Sequence, residues 1–442
     1  MEKIIITGGR KLNGITQVSG AKNVAMKVIL AGLLTDKPIY IKNTPLISSI
    51  RGTADIVKPL GVKVDIKSDH TMIIKGDKMG GFSVPLELGG LYRTATMVLG
   101  PLLARYGKAE VPNPGGCRLG KRPIDRHIQA LEQMGAKIRY NDGFFYAEAS
   151  TLKGSKIKFS HNSHTGTETV MLAAVLARGE TVIENAACEP EIDNLISLLN
   201  KMGAKIKRKS PRLIVIRGVK QLGGAEFEIM PDRNEVVTFA IAAVATGGDI
   251  IIDGAQKVYL KSFLTKLDET GNRWEEIRKD VIRFYRQKTK LSSCDVVTKF
   301  HPGFMTDWQA PWALLMTQAT GISTIHETVY EDRFGYVPEL LKMGANISFF
   351  DPKIKNPGEY YNFNWSDRRE GKQHAIRIQG PATLHNAVLE VTDLRAGATL
   401  VLGALLAHGQ SIVHGIEHID RGYEKIEERL RNIGADIKRI NN

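Results

Sequence analysis

The stretch Asn113–His127 reads NPGGCRLGKRPIDRH and sets one cysteine behind Pro-Gly-Gly and among Arg118, Lys121, Arg122, Arg126 and His127. Neighbouring cations lower a thiol pKa, and the glycines leave the sulfur accessible, so Cys117 has the setting of a reactive cysteine. A plain basic loop offers the same setting by chance. Cys188 and Cys294 have no comparable cations around them and read as structural. A second candidate is Asp307 in HPGFMTDWQA, just ahead of an apolar run. It can serve as a helix N-cap or as a carboxylate that moves protons.

Cations recur at the starts of the expected helices. The segments are SGAKN (19–23), GLYRTA (90–95), CRLGKRPID (117–125), SHTGTET (163–169), PDRNE (231–235), HPGFMTDWQ (301–309), YEDRFG (330–335), TDLRAG (392–397) and IDRGYE (419–424). A helix N-terminus presents free backbone N–H groups and a partial positive charge, so it attracts anions, and Arg or Lys there opposes the dipole at roughly 0.3–1 kcal/mol per site. A converging polyanion site would explain the repeated cost. Bland readings remain open: Arg395 and Arg421 can pair with Asp393 and Asp420, and Lys22 can be a solvated first-turn lysine.

The elements that carry these segments form a sixfold repeat. An amphipathic stretch, a glycine and a β-like run recur as ADIVKPLGVKVDI (54–66), IQALEQMGAKIRY (128–140), LISLLNKMGAKIKR (195–208), FLTKLDETGNRWEEI (263–277), PELLKMGANISFF (338–350) and IEERLRNIGADIKR (426–439). The turn glycines, Gly61, Gly135, Gly203, Gly271, Gly344 and Gly434, stand 74, 68, 68, 73 and 90 residues apart. A second series interleaves with the first, as in AAVLARGETVIEN (172–185) and GALLAHGQSIVHG (403–415): an apolar helix end, a turn usually marked by glycine, and a β-branched strand. Units of about 70 residues are too large for common solenoids, and six α/β units group into two domains of three. The longest interval contains FFDPKIKNPGEYYNFNWSDRREGKQHA (349–375), read as an inserted excursion or hairpin, and WEEIRKDVIRFYRQK (274–288) is read as a helix.

The chain has 442 residues, 43% hydrophobic and 24% charged, which suits a soluble protein of two or three domains. No apolar run is long enough to span a membrane, the N-terminus MEKIIITGGRKLNG lacks a signal-peptide core, and three cysteines give no disulfide framework. These features fit the cytoplasm. Sixty-one Lys plus Arg against 47 Asp plus Glu leave a net charge of +14, which suits an anionic substrate or nucleic acid. No basic-aromatic platform favours nucleic acid, and stretches such as KIKRKSPR (205–212) read as solvated strand ends.

SGAKN, PGGCRLGKRPIDRH, TVIENAACEPEI, PDRNE, HPGFMTDWQA, ETVYEDRFGYVPEL, TDLRAGA and HIDRGYEKIEERL, in this order, resemble the motifs of the UDP-N-acetylglucosamine 1-carboxyvinyltransferases, enolpyruvyl transferases of the first committed step of peptidoglycan synthesis. The cysteine loop resembles these rather than the sister 3-phosphoshikimate 1-carboxyvinyltransferases. The resemblance implies an α/β fold of two inside-out domains, each of three βαβαββ units: 22–231, with a cysteine lid loop at about 113–123, and 1–21 plus 232–442. It implies phosphoenolpyruvate and UDP-N-acetylglucosamine as substrates, no cofactor, no metal, no nucleic-acid or membrane partner, and no particular oligomeric state. Cys117 would protonate C3 of phosphoenolpyruvate, and is the cysteine that the epoxide fosfomycin alkylates in the family. Asp307 would accept the proton of the sugar 3-hydroxyl. Lys22, Asn23, Arg122, Arg395 and Arg421 would hold phosphoenolpyruvate. Arg93, Arg122, Pro123, Ile124, Asp125, Arg126, His161, Asn162, Ser163, His164, Asp307, Val329 and Arg333 would meet the nucleotide-sugar.

The chain departs from the family pattern at HNSHTGTET (161–169), where Ser-x-Gly-Ala-Thr after a lysine is usual and His161 takes the lysine's place, and at 261–293 and 349–375. An enolpyruvyl transferase with another acceptor, a different nucleotide-sugar or shikimate 3-phosphate, is therefore the alternative, and a basic nucleic-acid-binding repeat protein the non-enzymatic one.

Overall fold

The computed structural model describes residues 2–76, 80–115, 120, 123–287 and 290–441. The chain divides into two compact units. Among the described residues, one comprises 2–19 and 231–441 and the other 20–115 and 123–230.

Each unit carries three sheets, one per repeat, and they share a pattern. In five of the six sheets a strand runs parallel to the strand that opens an antiparallel hairpin. In the second unit Ala225–Glu228 runs parallel to Ile39–Lys42, which pairs antiparallel with Met72–Lys75 and, beyond it, Lys63–Ile66. In the first unit Asn13–Gln17 runs parallel to Asp249–Asp253, followed by Val281–Tyr285 and Arg273–Arg278. Helices lie inside and sheets outside. The first unit's helices Arg233–Thr246, Gln309–Met316 and Leu394–Leu406 pack on one another and are almost wholly buried. Sequences such as QAPWALLM and LRAGATLVLGALL are apolar all round, which suits a helix with no solvent face. The outer strands alternate instead, so Ile15, Tyr40, Ile322 and Val388 stand exposed.

The six turn glycines of the repeat all have left-handed backbones, with φ of 90°, 95°, 101°, 82°, 91° and 102°. A Cβ is disfavoured there, which is why glycine recurs at this place in the unit.

Two readings of the sequence are settled by the strands. WEEIRKDVIRFYRQK does not form a helix over 274–288. It is a hairpin of Arg273–Arg278 and Val281–Tyr285, turning at Asp280, whose φ is 61°. Ile282 and Phe284 enter the core while Arg283 faces Asp249 on the neighbouring strand at 2.5 Å; period 2 outweighs a short helical pattern once an edge of the sheet is available. The stretch 349–375 is indeed a hairpin with a long connection. Asn346–Phe350 pairs antiparallel with Ala375–Gly380, and the connection holds a helical turn, Pro357–Tyr360, and a 3-10 turn, Trp365–Asp367. It has a small aromatic core of its own, with Tyr361, Phe363 and His374 buried.

Candidate active site

In the first unit the site grows from the N-termini of the buried helices. Thr306–Trp308 forms a 3-10 turn leading into Gln309–Met316. Trp308 is sealed in the core, its ring edge-on to Phe304 and its Nε1 donating to Asn234 Oδ1 at 2.9 Å. Thr306 Oγ1 donates to buried Glu327 at 2.8 Å. Anchored on both sides, the turn presents Asp307 between two guanidinium groups. Arg333 Nη2 donates to its Oδ1 at 2.6 Å, and Arg395 Nη2 and Nε approach Oδ2 at 3.4 Å. Both arginine side chains are nearly buried, at 6% and 4% exposure, whereas Asp307 keeps 24%. Burial opposes the charge on each arginine; Asp307 and Asp393 around Arg333, and Tyr423 and Asp307 around Arg395, outweigh it and hold both charged.

Asp307 is therefore not a helix cap: the turn's N-cap is Met305, with no side-chain cap bond. Arg395 does not pair with its neighbour Asp393 either. Asp393 caps Leu394–Leu406, accepting from the backbone N–H of Arg395 at 2.9 Å and of Ala396 at 3.1 Å, which aims the Arg395 side chain back along the helix start. Asp420 is likewise taken by Arg439, at 2.7 and 2.9 Å, rather than by Arg421, which lies on the turn ahead of Ile426–Asn432. Val329 is buried four residues before Arg333, and its N–H donates to Glu327 Oε1 at 2.7 Å. Burial raises the Glu327 carboxyl pKa, and the N–H groups of Tyr330 and Val329 counter that.

In the second unit three helix starts come together. Arg93, at the N-cap of Thr94–Met97, donates to the Pro123 carbonyl at 3.0 Å. Ile124 precedes Asp125–Gln133, and Arg126 Nη1 reaches the Asn162 carbonyl at 3.5 Å. Ser163 caps His164–Ala174, accepting from Gly166 N–H at 3.0 Å. His127 Nε2 meets Thr165 Oγ1 at 3.0 Å across the same junction. His161 Nδ1 lies 3.4 Å from Ser160 Oγ. Lys22 and Asn23 open the helix Lys22–Ala31. Gly20, two residues earlier, packs so tightly on the Asn43 carbonyl that a Cβ would lie 1.8 Å from its oxygen. Cys117 and Arg122, with Arg118 and Lys121, fall outside the described residues.

A family model described as EPSP synthase (3-phosphoshikimate 1-carboxyvinyltransferase) matches residues 6–430. Among solved structures, the enolpyruvyl transferase NikO from Streptomyces tendae has the same fold, with a TM-score of 0.86 at 24% identity, covering 100% of this chain and 99% of that one. Curated proteins named UDP-N-acetylglucosamine 1-carboxyvinyltransferase are closer in sequence. That of Acidobacterium capsulatum is 42% identical, covering 100% of this chain and 97% of the relative, and that of Solibacter usitatus 41% identical with 100% of both covered. This chain belongs to the UDP-N-acetylglucosamine 1-carboxyvinyltransferase family. The inside-out α/β architecture that the resemblance implied, and with which the six repeats agree, is the fold of the enolpyruvyl transferases.

Within this family member, the buried pair of Lys27 and Glu168 escapes a reading of the sequence. Lys27 Nζ meets Glu168 at 3.2 Å with both side chains buried, and His164 Nε2 meets the same carboxylate at 3.2 Å. The pair ties the helix that opens with Lys22 to the helix that opens with His164. Burial works against protonating His164, but Glu168 and Glu189 outweigh it and raise its pKa. A lysine inside the apolar helix KNVAMKVILA is the one signal that could have exposed the pair. Among the described residues no group of His, Cys, Asp and Glu is arranged to hold a metal, and no helix is long and apolar enough to cross a membrane.

Proposed function

We propose that this chain transfers the enolpyruvyl group of phosphoenolpyruvate to the 3-hydroxyl of UDP-N-acetylglucosamine, releasing phosphate, as the first committed step of peptidoglycan synthesis. Full-length similarity to relatives with that name supports the reaction. The observation that carries it is the Asp307 carboxylate between Arg333 and Arg395.

In this reading the 3-hydroxyl gives its proton to Asp307 while its oxygen attacks C2 of phosphoenolpyruvate. Cys117 protonates C3, giving a tetrahedral ketal. Loss of a proton from C3 then expels inorganic phosphate and leaves the enolpyruvyl ether. Lys22, Asn23, Arg122, Arg395 and Arg421 hold the anionic substrate, and their charges stabilise phosphate as it leaves. Arg395 serves two partners. When phosphoenolpyruvate engages it, Asp307 loses counter-charge and gains an anionic neighbour, so its pKa rises and it becomes a better proton acceptor. The same anion raises the Cys117 thiol pKa and keeps it protonated as an acid.

Arg93, Pro123–Arg126 with Arg122, His161–His164, Val329 and Arg333 take the nucleotide-sugar. The domains are 22–231 and 1–21 plus 232–442, with 113–123 as the lid. A cytoplasmic setting suits the thiols. A second acceptor class is favoured only by the histidines in 161–164, where a lysine is usual in the family. Phosphate release measured with phosphoenolpyruvate plus UDP-N-acetylglucosamine, and separately with shikimate 3-phosphate, tests the reading. Release with shikimate 3-phosphate alone overturns it.

A further inference from the structure

The connection between Asn346–Phe350 and Ala375–Gly380 is far longer than the two to five residues that ordinarily close such a hairpin. It does not hang in solvent. It runs back over the end of strand Ala319–His326 and the segment 327–332, which leads toward helix Val337–Lys342 and has no regular structure of its own. Contacts fall on both sides of Val329. Before it, Tyr361 OH meets His326 Nε2 at 2.9 Å and the Asn362 N–H donates to the Thr328 carbonyl at 2.8 Å. After it, the Arg369 N–H donates to the Glu331 carboxylate and Lys372 pairs with Asp332 at 3.0 Å. The connection is stiff because Trp365 stacks on Tyr361, centroids 4.7 Å apart and planes 6° from parallel, and the Arg368 guanidinium lies 3.9 Å from the Trp365 ring centroid.

We infer that residues 351–374 act as a positioning clamp that fixes 326–333 and, through Val329 and Arg333, sets the affinity of the site for the nucleotide-sugar. This rests on the proposed function, in which Val329 and Arg333 border that substrate. An irregular segment pays conformational entropy to hold a binding geometry, and prior ordering by the clamp removes that cost from binding. Phosphoenolpyruvate, held by Lys22, Arg395 and Arg421 and linked to Arg333 through the Asp307 carboxylate, should feel it far less.

The test is steady-state kinetics on the full chain with each substrate varied in turn. Trp365→Ala removes the stack and is expected to raise the nucleotide-sugar KM about tenfold, with the phosphoenolpyruvate KM and kcat within about twofold. Trp365→Phe should restore most of the loss. Tyr361→Phe removes only the hydroxyl bonded to His326, keeps the packing, and should raise the same KM about threefold; it decides the matter alone if Trp365→Ala does not fold. A nucleotide-sugar KM within twofold of wild type in the folded variants, or an equal rise in both KM values, overturns the clamp. Wild-type protein that releases no phosphate with UDP-N-acetylglucosamine overturns the underlying reading as well.

Discussion

Asp307→Asn separates a proton acceptor from a structural counter-ion. Asn keeps an oxygen facing Arg333 and Arg395 but removes the negative charge between them. Removing one partner of a fully buried pair costs about 3–5 kcal/mol. Asp307 keeps a quarter of its surface in solvent and Asn retains one acceptor, so about 2 kcal/mol is the reasonable figure. For a unit of this size that lowers Tm by roughly 4–8 °C. Loss of the proton acceptor should lower kcat by about a hundredfold or more, equivalent to ~3 kcal/mol of barrier. The assay is phosphate release at saturating substrates, well below the lowered Tm, beside a thermal melt of the same sample. A melt shifted as expected with near-normal turnover would refute the catalytic assignment and leave Asp307 as the counter-ion of two arginines. Unchanged melting would refute the electrostatic argument itself.

Fosfomycin followed by mass spectrometry should place a single adduct on Cys117. Cys294 is buried, bonded to Glu269 at 3.2 Å, and its thiol is pushed up to about 12 by that burial and that carboxylate, while burial also raises Cys188; an adduct mainly on either of them would refute the loop's role. Glu168→Gln should destabilise the protein by about 3 kcal/mol in a denaturant titration, because it strands buried Lys27; a loss under 0.5 kcal/mol would show that Lys27 and Glu168 are not a charged pair in the folded protein. Burial lowers the His326 pKa to about 4. Since the unfolded chain then binds the extra proton, the contribution is complete above about pH 6.5 and should drain away by ~1–2 kcal/mol as pH falls toward 4. His326→Phe should flatten that part of the stability–pH curve, and an unchanged slope would mean that His326 does not titrate differently on folding.

The architecture was legible because it is repeated and local. Each turn glycine sits where the backbone must be left-handed, and each helix that reads as apolar all round proves to be an inner helix, so pattern and packing agree. The family motifs, likewise, are contiguous strings. Where two local patterns competed, the chain alone was ambiguous: WEEIRKDVIRFYRQK has apolar residues that suit either period, and pairing with Asp249–Asp253 chose the strand. What only the tertiary structure decided is which charge meets which. Arg395 has a carboxylate two residues away, yet that carboxylate caps a helix, and the guanidinium goes to Asp307, 88 positions back. Asp420 passes over Arg421 for Arg439, and Lys27 finds Glu168 on another helix. Periodicity is written by backbone geometry within a few residues. The pairing of buried charges depends on which side chains the fold removes from water together, because only there does an unpaired charge cost enough to dictate its partner.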